Sequence, residues 1–218
     1  MTTPATRLGE YSTATVSDAL DRLGLDGSML GIGPLFDGAR LAGPAFTVRY
    51  TTAGRPAGTV GDYLDDVAPG SVVVLDNGGR TDCTVWGDIL TAMAHHRGVA
   101  GTVIDGVCRD VHRALDLRYP VYSRGRFMRT GKDRVEVSDV GRPVSVGGVN
   151  VSPGDLLLGD SDGTVRVPRA LVEEVLEVCA AIAVNEERIV AEVLQGSSLA
   201  DARRRHGYHE LQRRETSR

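Results

Sequence analysis

The chain has 218 residues and a formal net charge of −4. It is long enough for one domain with a sizeable core, and its charge gives no reason to expect a nucleic-acid partner. No apolar run has the length of a membrane span, and the N-terminus lacks a signal-peptide pattern. The three cysteines have no spacing typical of disulfide frameworks or thiolate metal sites. We therefore expect a cytoplasmic protein without a membrane partner, with a single domain over residues 1–218.

The composition also limits the chemistry. Lys132 is the single lysine among the 25 lysine and arginine residues of the chain, and it lies in the polar sequence GKD. A lysine that forms an imine with a substrate must be desolvated so that its amine is neutral. We therefore do not expect imine chemistry.

The first part of the chain combines one helix with one strand. Apolar residues recur at helical spacing over residues 14–23, which predicts a helix with Thr13 as its cap and Gly24 as its stop. Residues 25–44 are rich in glycine and proline and are predicted to form a loop. Apolar and polar residues then alternate over residues 46–51, which indicates a half-buried strand.

The central part of the chain has the pattern of a βαβα unit. After a short helix near residues 59–67, buried apolar runs at 72–75 and 102–105 predict two strands. A helix over residues 88–97 separates them, and another short helix follows from about residue 111. The two strands should be parallel neighbours in one sheet, joined by a right-handed crossover.

The last part is predicted to contain antiparallel strands and a long helix. Turns at 147–148 and 162–163 indicate two hairpins. A helix of roughly 40 Å follows over residues 168–195, Ser197 should cap a last short helix, and the tail from about residue 208 should be frayed. The predicted fold is therefore α/β, with a mixed sheet core and a long C-terminal helix.

The βαβα unit places charged residues at one edge of the predicted sheet. Asp88 begins one helix, and Arg109 and Asp110 begin the next, so both helix starts follow the carboxyl ends of neighbouring strands. Ligands bind at this edge because free backbone amides and positive helix ends converge there. The amides of Ile89 and Leu90 can hold a small carboxylate or phosphate, and Arg109 can hold the same anion. A neighbouring aspartate offers the oxygen ligand that Mg²⁺ or Mn²⁺ prefers.

Ordinary structural roles also account for these residues. Aspartate is a common helix cap, and an Arg-Asp pair is often an ion pair on the protein surface. Asp105 and Asn77, at strand ends on the same edge, are expected to orient loops. The residues alone leave the functional and the structural alternatives open.

The same stretch resembles a known family. Gly87-Asp88 is followed by twenty residues and then by Arg109-Asp110, with LDNGG before the first pair and VIDG inside the interval. This combination is similar to the signature of the RraA-like superfamily, and the likeness extends from about residue 12 to 195, through SVGGVNVSPGDLLLGDSDGTVRVP. The superfamily has a catalytic branch of divalent-metal-dependent 4-hydroxy-4-methyl-2-oxoglutarate/4-carboxy-4-hydroxy-2-oxoadipate aldolases, which also decarboxylate oxaloacetate. Its non-catalytic branch contains the regulator of ribonuclease activity A, which binds ribonuclease E.

The resemblance implies a swivelling β/β/α domain and a role for each residue of the pattern. Arg109 would bind the carboxylate and keto-oxygen side of a pyruvyl group. Gly87 and the backbone of Ile89 and Leu90 would complete the cradle for that carboxylate.

The resemblance also implies a bound Mg²⁺ or Mn²⁺ and an oligomer. Asp110 would be the direct protein ligand of the metal, and Asp88 would act through metal-bound waters. The family assembles as trimers or hexamers in which a glutamate from the C-terminal helix of a neighbouring subunit reaches these waters.

Two glutamates of the long helix are candidates for that role. Glu186 falls inside an apolar stripe at helical spacing, where a carboxylate is costly unless it is paired, and Glu187 lies at the rim and is the weaker candidate. The alternative is that Glu186 faces water where the helix leaves its core. The stripe comprises Val172, Val175, Cys179, Ile182, Ala183, Val190 and Val193.

We therefore expect a carbon–carbon lyase that releases pyruvate from a 4-hydroxy-2-oxo acid and decarboxylates oxaloacetate. A water near Asp88 and Glu186 would act as the base. The alternatives are a non-catalytic regulator that binds ribonuclease E, against which Asp110 weighs, and the same enolate chemistry on another oxo-acid. The distal half of the substrate is not identified, because the loop arginines can either meet a second carboxylate or only solubilise the loops. These arginines are Arg55, Arg124, Arg126 and Arg129.

Overall fold

The computed structural model describes residues 3–208. Within them the helices are α1 (Pro4–Leu8), α2 (Thr13–Leu23), α3 (Asp88–His96), α4 (Val111–Asp116), α5 (Val172–Leu194) and α6 (Leu199–Arg205). The strands are β1 (Gly33–Pro34), β2 (Leu41–Thr52), β3 (Val72–Thr84), β4 (Gly101–Cys108), β5 (Val121–Arg126), β6 (Val135–Val140), β7 (Val144–Val146), β8 (Val149–Val151), β9 (Leu156–Asp160) and β10 (Gly163–Val167). The predicted frayed tail falls almost entirely on residues 209–218, outside the described residues.

One mixed sheet organises the molecule. Its strand order is β1-β5-β4-β3-β2-β9-β10, β6 pairs with β2, and β7 and β8 form a separate hairpin. Neighbours from β2 to β5 are parallel, whereas β1, β6, β9 and β10 pair antiparallel. The predicted parallel pairing of the strands at 72–75 and 102–105 is confirmed, and so is the α/β class with a mixed sheet and a long C-terminal helix.

The predicted loop over residues 25–44 is wrong at its end, because β2 already begins at Leu41. Residues 41–44 pair with β9, and residues 45–49 pair with β3. Gly43 is required here because a Cβ at this position would overlap the carbonyl oxygen of Gly70. Its glycine therefore reflects a close backbone approach inside a sheet rather than a loop.

The central strands are buried on both faces, as their continuous apolar runs indicate. Val73, Leu75 and Ile104 belong to one core with side chains of α3 and α4, whereas Val74 and Val103 belong to a second core with the β7–β8 hairpin. All five side chains are fully buried. The sheet is thus a rigid middle layer, and its strand ends are held in place from both sides.

The helix α2 begins at Thr13, the residue predicted as its cap, and its observed cap lies one residue earlier. Ser12 caps it by accepting a hydrogen bond from the Thr15 N–H at 3.0 Å, while the Thr13 hydroxyl donates to Asp160 at 2.6 Å. Gly24 ends the helix in the left-handed conformation, with φ 69°, as predicted. Thr13 therefore ties the helix start to β9 instead of capping it.

The long helix α5 begins at Val172, after a single 3₁₀ turn at Arg169–Leu171, and Ser198 rather than Ser197 caps α6. The predicted apolar stripe needs one correction. Val190 is 56% exposed, and Ile189 takes the buried position in the last turns. The stripe packs on α2 and the β9–β10 hairpin.

No helix within residues 3–208 is long and apolar enough to cross a membrane.

Candidate active site

Two chain turns meet at the carboxyl edge of β3 and β4. Trp86 and Gly87 lead from β3 into α3, and Arg109 and Asp110 lead from β4 into α4. The Arg109 N–H donates a 3.0 Å hydrogen bond to the carbonyl oxygen of Trp86. A Cβ on Gly87 would lie 3.0 Å from Asp110 Oδ2 and 3.4 Å from Arg109 Nε. The two helix starts therefore converge as predicted.

Asp110 is held in an unusual backbone conformation. Its φ of 53° is left-handed, and its side chain makes no capping hydrogen bond to α4. Asp110 Oδ2 instead lies 3.2 Å from Arg109 Nε, and both side chains are partly exposed. The left-handed conformation costs about 1–2 kcal/mol outside glycine, although aspartate tolerates it better than most residues. Asp110 therefore occupies the N-cap position of α4 without capping it through its side chain, and the alternative of a partly exposed Arg-Asp ion pair is observed.

Asp88 changes the expected carboxylate cradle. It is the first residue of α3, after Gly87, and its Oδ1 accepts a 2.8 Å hydrogen bond from the Ile89 N–H. The amide of Ile89, which we expected to be free for a ligand, is therefore engaged by the short neighbouring side chain. Leu90 lies in the first turn, where backbone amides have no partner within the helix. An anion at the start of α3 must compete with Asp88 for the first of these amides.

A cavity of about 430 Å³ opens over the two turns, a volume within the usual range for small-molecule sites. Thr84–Leu90 and Arg109 form its base, residues 58–62 form one wall, and Thr130 and Lys132 form another. Arg109 and Asp88, singled out from the sequence, thus lie in one cavity.

The wall at residues 58–62 is held by a residue that the sequence did not single out. The Glu136 carboxylate on β6 accepts hydrogen bonds from the N–H groups of Gly58, at 2.6 Å, and Gly54, at 3.1 Å. These two backbone donors hold the pKa of Glu136 below its ordinary value. The Tyr50 hydroxyl adds a 2.6 Å bond to the carbonyl oxygen of Val60. The loop is therefore fixed at several points.

Lys132 is the second site residue that sequence reasoning missed. We had placed it in an exposed polar turn, and it is exposed there, but the turn itself forms a wall of the cavity. The missing signal is nonlocal: the backbone of residues 129–130 pairs with Thr84 at the end of β3. Its exposure remains consistent with the absence of imine chemistry.

Asp105 orients loops on the same edge, as expected. It is 7% exposed, accepts a 2.9 Å hydrogen bond from the Gly147 N–H, and forms an ion pair with Arg124. Neighbouring Asn77 is also buried, but its side-chain nitrogen has no hydrogen-bond partner among the described residues. Arg124 therefore neutralises a buried carboxylate.

Glu186 does not line the cavity of its own chain. It is partly buried on α5, and burial, followed by the charge of Asp18, raises the pKa of its carboxyl. It borders a shallow concave surface formed with Ala183, Val190 and Leu194. Its placement at the cavity of a neighbouring subunit stays a prediction.

Comparison with known proteins decides the family. Residues 13–166, well over half of the chain, match the family described as RraA-like: Aldolase/RraA. The chain belongs to the RraA-like family. Its description covers both aldolases and RraA proteins.

Individual RraA-like relatives cover the chain to different extents. Protein DlpA of Legionella pneumophila is 39% identical over 202 residues, which are 91% of this chain but only 33% of DlpA. The chain thus spans about a third of that relative. A protein of Halalkalibacterium halodurans, whose name assigns it provisionally to the 4-hydroxy-4-methyl-2-oxoglutarate aldolases, is 36% identical over 79% of this chain and 80% of its own length.

Solved structures show the same RraA-like architecture. An uncharacterised protein of Pseudomonas syringae pv. tomato has a TM-score of 0.86 and 42% identity, and the match covers 92% of this chain and 96% of that one. RraAS2 of Streptomyces coelicolor, described as an unusual member of the RNase ES inhibitor RraA protein family, has a TM-score of 0.76 and 31% identity. That match covers 84% of this chain and 94% of RraAS2.

Proposed function

We propose that this RraA-like chain is a lyase that cleaves 4-hydroxy-4-methyl-2-oxoglutarate-type substrates to pyruvate and a second oxo-acid, and that also decarboxylates oxaloacetate. The observation that carries the proposal is the position of Arg109 in the lining of a 430 Å³ cavity. Asp110 is not part of that lining, but its Oδ2 lies 3.2 Å from Arg109 Nε and directly against Gly87. The name of the Halalkalibacterium relative supports the same reaction class.

Arg109 suits the difficult step of this reaction. When the C3–C4 bond breaks, its electron pair passes into the pyruvate enolate, and negative charge grows on the keto oxygen. A guanidinium fixed beside that oxygen stabilises the transition state more than the ground state. Loss of CO₂ from oxaloacetate leaves the same enolate, so one arrangement serves both reactions.

We propose that Mg²⁺ or Mn²⁺ is the cofactor, with Asp110 as its direct ligand and Asp88 acting through water. The described residues contain no group of three or more His, Cys, Asp or Glu side chains placed to hold one metal ion. Water and substrate would therefore supply most ligands, which suits Mg²⁺ because it keeps several waters. When bound, the cation supplies a Lewis acid to the oxygens of the keto acid.

The retro-aldol reaction also needs an acceptor for the proton of the 4-hydroxyl group. No histidine lines the cavity among the described residues, whereas the partly buried carboxylate of Asp88 does. A water hydrogen-bonded to Asp88 would take this proton as the bond breaks. Decarboxylation of oxaloacetate has no such proton to remove, so it should depend less on Asp88.

We also propose a homotrimer or hexamer in which Glu186 of one subunit reaches the cavity of the next. The support is an apolar surface on α5, where Val190 is 56% and Leu194 82% exposed beside Ala183 and Ala191. Apolar residues grouped in this way favour burial against another chain. Light scattering after size-exclusion chromatography tests the assembly, and a monomeric mass for the wild type would contradict it.

A pyruvate-release assay tests the proposed function. Purified protein is supplied with 4-hydroxy-4-methyl-2-oxoglutarate, related 4-hydroxy-2-oxo acids and oxaloacetate, with Mg²⁺ or with EDTA. We expect pyruvate that depends on the metal, with activity lost in EDTA and restored by Mg²⁺ or Mn²⁺. EDTA-resistant release would contradict the metal assignment. No release from any substrate, together with capture of ribonuclease E, would favour the non-catalytic regulator, for which the likeness to RraAS2 is the support.

A further inference from the structure

Two cationic side chains line the cavity, and they come from different walls. Arg109 lies at the base, beside the start of α4, and Lys132 lies on the turn between β5 and β6. The other ionisable side chains of the lining are the acids Asp62 and Asp88. A substrate with one carboxylate can pair with one of these cations, whereas a dicarboxylate can pair with both.

The position of Lys132 is fixed by contacts that the backbone of its turn makes with neighbouring residues. The N–H of Thr84 donates to the carbonyl oxygen of Arg129 at 3.0 Å. Gly131 packs so closely on the carbonyl oxygen of Thr84 that a Cβ there would overlap it. Nη1 of Arg134 donates to the carbonyl oxygens of Thr130 and Lys132, each at 3.3 Å. The turn is therefore tied to the end of β3, directly at the cavity.

The arginines that we considered for a second carboxylate are occupied or lie elsewhere. Arg124 pairs with the buried Asp105, and Nη2 of Arg126 donates to the carbonyl oxygen of Leu35 at 2.8 Å. The guanidinium of Arg129 lies 5.6 Å from the centre of the Phe127 ring, a cation–π distance. Neither these three nor Arg55 lines the cavity.

We propose that Lys132 binds the second carboxylate of the substrate and so makes the cavity selective for 2-oxo acids with a negatively charged distal end. The inference rests on the proposed function, because Arg109 must hold the pyruvyl end. The Lys132 ammonium has three donors on a flexible stem, which suits a carboxylate whose position differs between substrates. An uncharged distal group gives it no comparable partner.

Kinetics on a matched pair of substrates test this specificity. 4-Hydroxy-4-methyl-2-oxoglutarate carries a distal carboxylate where 4-hydroxy-4-methyl-2-oxopentanoate carries a methyl group. We expect Lys132→Ala to lower kcat/KM for the dicarboxylate by about 10- to 100-fold, the usual effect of losing a hydrogen bond to a charged group. The value for the monocarboxylate should stay unchanged, and Lys132→Arg should restore much of the preference.

Arg129→Ala is the matched control, since it removes a cation from the same turn but not from the cavity. It should leave both rates as in the wild type. An equal loss on both substrates in Lys132→Ala would overturn the inference, and so would a wild type that does not prefer the dicarboxylate.

A binding measurement tests this inference independently of the proposed reaction. Calorimetric titration with 2-oxoglutarate and with 2-oxopentanoate, in the presence of Mg²⁺, compares a distal carboxylate with a methyl group without any bond cleavage. We expect tighter binding of 2-oxoglutarate, with the difference lost in Lys132→Ala. That result supports the subsite even if no pyruvate is released in the assay above. Equal binding of the two acids by the wild type would overturn the subsite while leaving the lyase activity to its own test.

Discussion

Gly87 lies directly against the carboxylate of Asp110, since a Cβ on Gly87 would come within 3.0 Å of Asp110 Oδ2. The backbone of Gly87 is extended, with φ −149°, so no conformational strain requires glycine here. Space for the neighbouring carboxylate and guanidinium is the reason for glycine at this position.

Gly87→Ala should therefore displace Asp110 with little loss of stability. We expect the Mg²⁺ concentration for half-maximal activity to rise by about tenfold, because mispositioning by about 1 Å can cost about 100-fold in rate. Gly33→Ala is the matched control, since nothing lies within 4 Å of a Cβ at Gly33. Metal titrations of both variants check the prediction, and identical curves would show that Gly87 tolerates a methyl group.

Arg109→Ala should remove nearly all turnover. The change removes the charge that we propose faces the developing enolate, and removal of one such group usually costs about 10²–10³ in kcat. Arg113→Ala, at an exposed position on the same short helix, should keep wild-type rates. Steady-state pyruvate release from both variants is the measurement. Wild-type kinetics in Arg109→Ala would refute the assignment of this residue.

Asp110→Asn should weaken the response to metal and preserve the fold. Asparagine tolerates the left-handed backbone as aspartate does, so the change removes charge and little else. We expect at least about a tenfold higher Mg²⁺ requirement, as even indirect partners of a metal contribute about 10- to 100-fold to affinity. Asp133→Asn is the control, because Asp133 is also left-handed, with φ 62°. Unchanged activation in Asp110→Asn would place the metal elsewhere.

Glu136→Gln should loosen the wall at residues 58–62. The N–H groups of Gly58 and Gly54 lower the pKa of Glu136. The stability that its carboxylate contributes is therefore fully present above the ordinary pKa of 4.5. This contribution is lost as the pH falls from that value through the lowered pKa of the folded protein. The Tm of the variant should be below that of the wild type near neutral pH, and the difference should vanish in acid. Glu174→Gln, exposed on α5, is the control. A difference that persists in acid would contradict the carboxylate's role.

The sequence was sufficient for the features that local pattern determines. The βαβα unit, the stop at Gly24 and the convergence of Asp88 with Arg109 follow from apolar periodicity and from the geometry of parallel strands. The caps were misplaced by one residue, since two adjacent hydroxyl residues satisfy the same pattern. Thr13 lost the cap to Ser12 because a distant aspartate binds its hydroxyl.

The remaining parts of the candidate site depend on contacts between distant segments. Lys132 reaches the cavity because its turn pairs with Thr84, almost fifty residues away in the chain, and Glu136 acts on a loop about eighty residues before it. The engagement of Ile89 by Asp88 is local, but it depends on a side-chain rotamer that spacing alone does not specify. No periodic pattern encodes such contacts.

The strand β2 pairs with β9 through residues 41–44 and with β3 through residues 45–49. A single continuous strand therefore belongs both to the layer that carries the cavity and to the layer under α5. If either layer unfolded, the backbone hydrogen-bonding groups of β2 that pair with it would be left without partners. The two layers should therefore unfold together as one cooperative unit. Slow amide exchange would then extend without interruption from the base of the cavity to the strands that support the long helix.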